Sequence, residues 1–185
     1  MRKDERQCPE LTDQELVRRG ITGDEAALGI LVRRHHAAAY RVALSIMRGD
    51  DVAQDVVQDT FLKAFRALDR FRGDASFRTW LLTITANEAR GALRRQLRRK
   101  ETAFEEAGLI QSEEKEPDEA AVMAQEAGRA RALMEHLPEK QRLSVSLRIE
   151  EGLSFREIGE VIGSSEGTAR VNYFHAIRRL RELMK

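Results

Sequence analysis

Aromatic and arginine residues crowd together in the middle of the chain. Half of the ten aromatic residues fall within one window of twenty positions: Phe61, Phe65, Phe71, Phe77 and Trp80. Arginines follow directly, at Arg90, Arg94, Arg95, Arg98 and Arg99. Because aromatic faces stack on unpaired bases and guanidinium groups neutralise phosphates, this combination is typical of a surface for single-stranded nucleic acid. The spacing fits equally well with rings in a core and arginines on a solvated helix face.

Patterns typical of catalysis or metal binding are missing from the sequence. It contains no phosphate-binding glycine loop with lysine, no HExxH and no nucleophile elbow. His35 and His36 are adjacent and so point to different helix faces, and His136 and His175 have no partner at ligand spacing. We therefore expect no enzymatic activity, no metal and no cofactor.

Composition favours a helical, globular protein. The 185 residues are 42% hydrophobic and 34% charged, with three prolines and few β-branched runs. This length suits one domain or two small ones. Cys8 is the only cysteine, which excludes an intrachain disulfide. The sequence shows neither an apolar run of about 20 residues nor a signal peptide, so we expect a cytoplasmic protein without membrane insertion.

Charge is segregated along the chain although the net charge is only +1. Residues 90–100 carry six basic side chains and no acidic one, whereas residues 101–119 carry eight acidic side chains against Lys115. The C-terminal stretch 170–185 is basic again, with Glu182 as its single acid. Such blocks indicate two cationic surfaces joined by an anionic connector.

Helical periodicity and capping signals divide the N-terminal half. Thr12 and Glu15 form a capping box, an apolar stripe runs over 26–47, and Gly49-Asp50-Asp51 breaks it. The next helix, 52–71, places an apolar stripe on the core: Val57, Phe61, Ala64, Phe65 and Leu68. The residues left facing solvent or a partner are Asp55, Gln58, Asp59, Leu62, Lys63 and Arg66. A loop follows with Gly73 as hinge and Ser76 as helix cap, and a helix from Phe77 runs into the arginine block.

The C-terminal half has the pattern of a helix-turn-helix. Residues 99 to about 116 lack apolar periodicity and are predicted to form a flexible acidic linker, and 119–136 is predicted to be helical. A short helix over 154–162, Gly163 and a long helix from about Glu166 then follow. One face of the long helix is predicted to point outward, with Thr168, Arg170, Val171, Phe174 and Arg178. The opposite face is predicted to pack inward, with Ala169, Tyr173, Ala176, Ile177 and Leu180. Its arginines fit phosphates and base edges of a DNA major groove, although three-helix units also serve as structural bundles.

Two stretches carry a family resemblance. Residues 55–68, DVVQDTFLKAFRAL, and 69–81, DRFRGDASFRTWL, resemble the second region of bacterial sigma factors of the extracytoplasmic-function type. The segments LPEKQR (137–142), EEGLSFREIGE (150–160) and EGTAR (166–170) resemble the same family's fourth region. The match spans about 12–184 in the family's order, with a linker between.

The resemblance implies three functional surfaces. The exposed face of the 52–71 helix is expected to dock on the basic clamp helices of the largest subunit of core RNA polymerase, through Asp55, Gln58, Asp59, Leu62, Lys63 and Arg66. The loop 71–78 and the following helix are expected to capture a flipped base of the melted minus-10 element. The residues implied there are Arg72, Gly73, Asp74, Ala75, Ser76, Phe77, Asn87, Arg90 and Arg94.

The recognition helix is expected to read duplex minus-35 DNA. The residues implied are Gly167, Thr168, Arg170, Val171, Phe174, His175 and Arg178 within or after a helix-turn-helix at 154–173. The family commonly has polar or basic residues where this chain has Val171, Asn172 and His175, so a relative's minus-35 sequence does not transfer. Val171 favours contact with a thymine methyl group, and His175 carries less charge than arginine.

The sequence thus predicts an all-α protein with two small helical domains. Their predicted limits are 1–24 for an N-terminal arm and first helix, 25–98 for the region 2-like domain, 99–118 for the linker and 119–185 for the region 4-like domain. The expected partners are core RNA polymerase, promoter DNA as melted strand and as duplex, and an anti-sigma factor. The alternatives are a two-domain helix-turn-helix regulator that never binds core polymerase, and a helical adaptor for another protein.

Overall fold

A computed structural model describes residues 11–47, 49–106 and 132–184. Within these ranges the secondary structure is helical, without strands. The N-terminal half contains α1 (Asp13–Ile21), α2 (Glu25–Met47), α3 (Asp50–Arg66), a 3₁₀ turn (Leu68–Arg70) and α4 (Phe77–Glu106). The C-terminal half contains α5 (Glu139–Ile149), α6 (Phe155–Ile162) and α7 (Glu166–Leu183), after a helical stretch at 132–135. The all-α prediction is confirmed.

Short polar side chains set several helix starts, as their positions in the sequence predict. Thr12 and Glu15 form a reciprocal capping box at α1, and Ser154 and Glu157 form another at α6. The Ser76 hydroxyl accepts a hydrogen bond from the Thr79 amide at 3.1 Å, which fixes the start of α4 directly after the loop.

The core of the N-terminal half lies between α2, α3 and α4. Their apolar stripes bury Leu31, Val42, Val57, Leu81 and Leu82, each at most 2% exposed. The stripe predicted for the third helix is buried at Val57, Phe61, Ala64 and Leu68, with Phe65 half-buried at its edge. This packing fixes which side of α3 and α4 remains free for partners.

Two predicted boundaries are corrected. The third helix ends at Arg66 rather than residue 71, because the chain tightens into the 3₁₀ turn that buries Leu68 beside Gly20. The linker was predicted to begin at 99, but α4 continues to Glu106, and the Arg, Lys, Glu and Ala residues there have high helix propensity. The rest of the predicted linker, the N-terminal arm with Cys8, and most of the predicted 119–136 helix lie outside the described residues.

The two halves pack against each other. One continuous core cluster joins α2, α3 and α4 to Leu143, Leu147, Leu153 and Ile158 of the C-terminal half. A smaller cluster within the C-terminal half is formed by Leu137, Val145 and Ala176. The helix-turn-helix therefore lies against the N-terminal bundle, through α5 on α2 and α6 on α4.

Candidate polymerase and nucleic-acid interfaces

The outer face of α3 is free of intramolecular packing. All six residues predicted there are exposed: Asp55, Gln58, Asp59, Leu62, Lys63 and Arg66. Leu62 is 48% exposed on this face, and the carboxylates of Asp59 and Asp55 lie about one and two turns before it. Lys63 forms an ion pair with Glu88 of α4 at 2.6 Å. The face thus offers an apolar centre with acidic and basic margins.

The loop between the 3₁₀ turn and α4 is supported by three packed rings. Phe71 lies 5.2 Å from Trp80 and 5.9 Å from Phe77, and Phe77 lies 5.8 Å from Trp80, measured between centroids. Above this aromatic cluster the chain turns at Gly73, whose φ of +79° is the left-handed conformation that glycine adopts without strain. Arg72, Asp74 and Ser76 are exposed there, and Ala75 is half-buried.

Phe77 is the one predicted loop residue whose role is revised. It is 2% exposed, so its ring faces the core and cannot stack on a base in this conformation. Its neighbour on the inner side is the His35 ring, 5.4 Å away. Phe77 therefore supports the loop from below. Phe61 and Phe65 also pack in the bundle, so most of the aromatic residues clustered between 61 and 80 belong to the core.

His35 connects the aromatic cluster to α1. Its Nε2 lies 2.6 Å from the Asp13 carboxylate, and Arg34 binds the same carboxylate at 3.0 Å. Burial lowers the pKa of His35 below its usual range, and the Asp13 carboxylate opposes that effect. Sequence reasoning assigned no role to His35, because a histidine on an apolar stripe carries no distinctive local pattern.

Asn87 lies on an exposed stripe of α4. Arg90, Gly91 and Arg94 follow it at three, four and seven positions, so they share one helix face. Asn87 and Arg94 are exposed. The guanidinium groups of Arg94 and Arg95 lie over Gly91, with a nitrogen of each within 3.9 Å of the position that a Cβ atom would take there. Ten residues separate Asn87 from Phe77, or about 15 Å along the helix. Asn87 and the loop therefore lie well apart on the surface of α4.

Arg90 differs from the other arginines of this stripe. Its Nε lies 2.8 Å from the Glu139 carboxylate at the start of α5, and its side chain is 21% exposed. A residue predicted to contact DNA is thus held by the C-terminal half.

The helix-turn-helix depends on a close backbone approach at its turn. A Cβ atom at Gly159 of α6 would lie 2.8 Å from the Ser164 carbonyl oxygen, which is too close for any side chain. The close contact between α6 and the turn therefore requires glycine at this position. Gly163 ends α6 with a φ of +65°, and the Ser165 hydroxyl caps α7 by accepting from the Thr168 amide at 3.1 Å. The turn therefore fixes how α7 projects.

The predicted reading face of α7 is exposed along its length. The exposed residues are Gly167, Thr168, Arg170, Val171, Phe174, His175 and Arg178. The predicted inner face is buried at Ala169 and Ala176 and half-buried at Tyr173, Ile177 and Leu180.

Arg170 is held in place by two neighbours. Its Nη2 lies 2.8 Å from the Glu166 carboxylate, and its guanidinium group lies 5.3 Å from the centre of the Phe155 ring. Phe155 also packs on Tyr173 and Phe174, and the Arg148 guanidinium group lies 5.0 Å from the centre of its ring. Sequence reasoning missed Phe155 and Arg148, because both come from outside the recognition helix and only folding brings them beside it.

Other kinds of site are not evident in the part of the chain that the structure describes. No group of three or more potential metal ligands comes together among these residues. None of the helices in the described ranges combines the length and apolar character that a membrane crossing requires.

The fold is an all-helical bundle with an exposed loop before α4, packed against a C-terminal helix-turn-helix. Family models for sigma-70 region 2 and sigma-70 region 4 match residues 31–99 and 127–180. The chain is 37% identical over 177 residues to the ECF RNA polymerase sigma-E factor of Escherichia coli (strain K12), covering 90% of this chain and 91% of the relative. The chain therefore belongs to the extracytoplasmic-function sigma factors, as its motifs predicted.

Solved structures with a similar fold include a sigma factor. CnrH in complex with the cytosolic domain of CnrY superposes with a TM-score of 0.70 at 27% identity, covering 93% of this chain and 96% of that one. The sigma factor RpoE in complex with the anti-sigma factor NepR from Bartonella quintana superposes with a TM-score of 0.68 at 25% identity, covering 84% and 95%. Membership in this family excludes the stand-alone regulator and the adaptor as interpretations.

Proposed function

We propose that this alternative sigma factor binds core RNA polymerase through the outer face of α3 and directs initiation at promoters that its two halves read separately. The observation that carries the proposal is the outer face of α3, where Leu62 is 48% exposed and the exposed Asp55 and Asp59 precede it on the same face. An apolar centre with acidic margins is complementary to a basic helical surface of the polymerase clamp.

The minus-10 element is read by the loop 72–76 with Asn87, Arg90 and Arg94 of α4. The loop is exposed, and the packed rings of Phe77 and Trp80 support it from the core side. A flipped base would therefore bind against a loop that is held in place. Asn87 supplies an amide for a second base about 15 Å away, and the arginines neutralise the backbone. The mechanism is binding and strand separation, without bond chemistry and without a cofactor.

The minus-35 element is read by α7 in the major groove. Arg170 and Arg178 are suited to phosphates or guanine edges, and Val171, which is 55% exposed, is suited to a thymine methyl group. Each arginine forms a solvent-exposed ion pair with a glutamate one turn away, Glu166 and Glu182, so both are accessible to DNA. Core polymerase and promoter DNA lie in the cytoplasm, so we place the protein there.

An anti-sigma factor is a further proposed partner. The sigma factor RpoE described above was solved in complex with the anti-sigma factor NepR. The exposed Leu62 on α3 and Phe174 on α7 give such a protein apolar anchors on both halves.

The polymerase contact is tested by charge reversal on α3. We expect the double substitution Asp55→Lys with Asp59→Lys to abolish capture of core polymerase, because it places cations against a basic clamp. The matched control, Glu25→Lys with Asp69→Lys, makes the same charge change at exposed carboxylates outside α3. Co-purification with core enzyme at moderate salt is the measurement. Equal capture by both double variants would contradict the proposed docking face.

A further inference from the structure

The reading face of α7 contains a histidine that has no partner. His175 is exposed on this face between Arg170 and Arg178, and its side chain forms no hydrogen bond or ion pair with the described residues. The two arginines differ from it, because Arg170 is bound to Glu166 at 2.8 Å and Arg178 to Glu182 at 3.1 Å. Both arginines are therefore accompanied by a carboxylate of the same helix, whereas His175 is not.

Helix geometry points His175 away from the two helices that pack on α7. Tyr173 marks the inner side, because its ring packs on Phe155 of α6 and belongs to the apolar cluster that contains Val145 of α5. His175 follows Tyr173 by two residues, which turns its side chain by about 200° around the helix axis. His175 therefore faces the side of α7 that is free to enter a DNA groove.

The charged groups near His175 come from α7 itself. Arg178 and Arg179 follow it by one turn and Glu182 by two turns, and Glu182 is bound to Arg178. Among the charged groups of α5 and α6 none binds His175; those with other partners are Glu139, Arg142, Arg148, Arg156, Glu157 and Glu160, and Lys140 is exposed to solvent. The described part of the protein thus offers no carboxylate to a protonated ring at this position.

A DNA duplex supplies acceptors that the protein itself does not. Histidine is the side chain whose charge changes between about pH 5 and 8, and its protonated ring donates hydrogen bonds from both nitrogens. The major groove presents guanine N7 and O6 as acceptors, and phosphates border it. Because a negative environment favours the charged form of a histidine, a ring carried into the groove by a recognition helix binds best as a cation.

We propose that His175 binds the minus-35 duplex in its protonated form, so that recognition by α7 takes up a proton. The acceptor is a phosphate oxygen or the edge of a guanine, both of which are negative hydrogen-bond acceptors. Above the pH range in which histidine is charged, the proton has to be captured on binding, and this capture costs affinity. Affinity for the duplex therefore rises as the pH falls. The inference rests on the proposed minus-35 role of α7 and deepens it.

The test measures how holoenzyme, assembled from the full chain and core polymerase, binds a duplex fragment with a minus-35 element selected by the wild type. Fluorescence anisotropy gives dissociation constants at about pH 8 and about pH 6 at constant ionic strength. We expect the wild type to bind more tightly at the lower pH, by about fivefold beyond the change in His175→Gln, because hydrogen bonds to charged groups are stronger than neutral ones. His175→Arg is charged at both pH values and should lack this extra response. His136→Gln, at an exposed histidine before α5, should keep it.

Two arms of the same assay distinguish the acceptors. With a phosphate acceptor, the extra response is the same for every minus-35 sequence, and the salt dependence of binding by the wild type steepens by about one phosphate contact at the lower pH. With a guanine acceptor, the extra response disappears when that one base pair is replaced.

An equal pH response in the wild type and His175→Gln would overturn the proposal, as would a full response in His175→Arg or its loss in His136→Gln. A duplex with a scrambled minus-35 element separates these results from failure of the proposed function. If scrambling leaves the affinity of the wild type unchanged at both pH values, α7 does not read the element and the inference fails with it. If scrambling weakens binding but His175→Gln keeps the pH response, only the inference fails.

Discussion

At the scale of single residues, His35 links α1 to the aromatic cluster that supports the loop before α4. It lies between the Asp13 carboxylate at 2.6 Å and the Phe77 ring at 5.4 Å. Burial disfavours its charged form, while Asp13 partly compensates. The net effect is a lowered pKa, so the folded protein holds this proton less tightly than the unfolded chain does.

The lowered pKa of His35 predicts how stability depends on pH. The stabilising contribution of neutral His35 is fully present above pH 6.5, which is about the pKa of histidine in the unfolded chain. It is lost as the pH falls below that value, because the unfolded chain then binds the extra proton. We expect the free energy of unfolding to decrease between pH 7.5 and 6, and His35→Gln to make that decrease smaller. Urea denaturation of the wild type and the variant at both pH values measures the free energy of unfolding. The same decrease in both proteins would show that His35 is not the titrating group.

At the scale of elements, the turn between α6 and α7 sets the direction of the recognition helix. Gly159 lets α6 approach the Ser164 and Ser165 backbone, and Gly163 reverses the chain with its left-handed conformation. Phe155 of α6 then lies under Arg170 of α7, so α6 both supports and orients the reading face. A change at the turn should therefore affect DNA reading without touching a reading residue.

Substitution of Gly159 tests that dependence. A methyl group 2.8 Å from a carbonyl oxygen forces the turn apart, and we expect Gly159→Ala to destabilise the protein by about 1–3 kcal/mol. It should also weaken duplex binding. Gly29→Ala in α2 is the control, since its nearest neighbour is the end of the Arg33 side chain at 3.5 Å. There the better helix propensity of alanine should stabilise by up to about 1 kcal/mol. Thermal unfolding of both variants measures the difference, and a neutral Gly159→Ala would contradict the close-packed turn.

The sequence was a good guide to elements and a poor guide to their long-range partners. Helical spacing identified both faces of α3 and α7, and Thr12, Ser76 and Gly163 marked helix ends, because these signals are local. Glu151, beside a glycine in a turn, has the local pattern of a solvated acid. Its partners Arg41 and Arg78 lie 110 and 73 residues away in the sequence, and local periodicity carries no information about such pairs.

At the scale of the whole molecule, the two halves behave in this structure as one packed unit. They share a core that includes Leu143 and Ile158, and charged contacts surround it. Separating the halves would expose this shared core and break these charged contacts.

Run-off transcription tests whether Asn87 and Arg170 read different promoter elements for core polymerase. Wild-type protein, Asn87→Ala and Arg170→Ala are each combined with core enzyme on a library randomised at both elements, and the selected promoters are sequenced. We expect Asn87→Ala to relax selection at minus-10 and Arg170→Ala at minus-35, each by about 1–3 kcal/mol at the contacted base. Unchanged promoter selection in both variants would contradict the account.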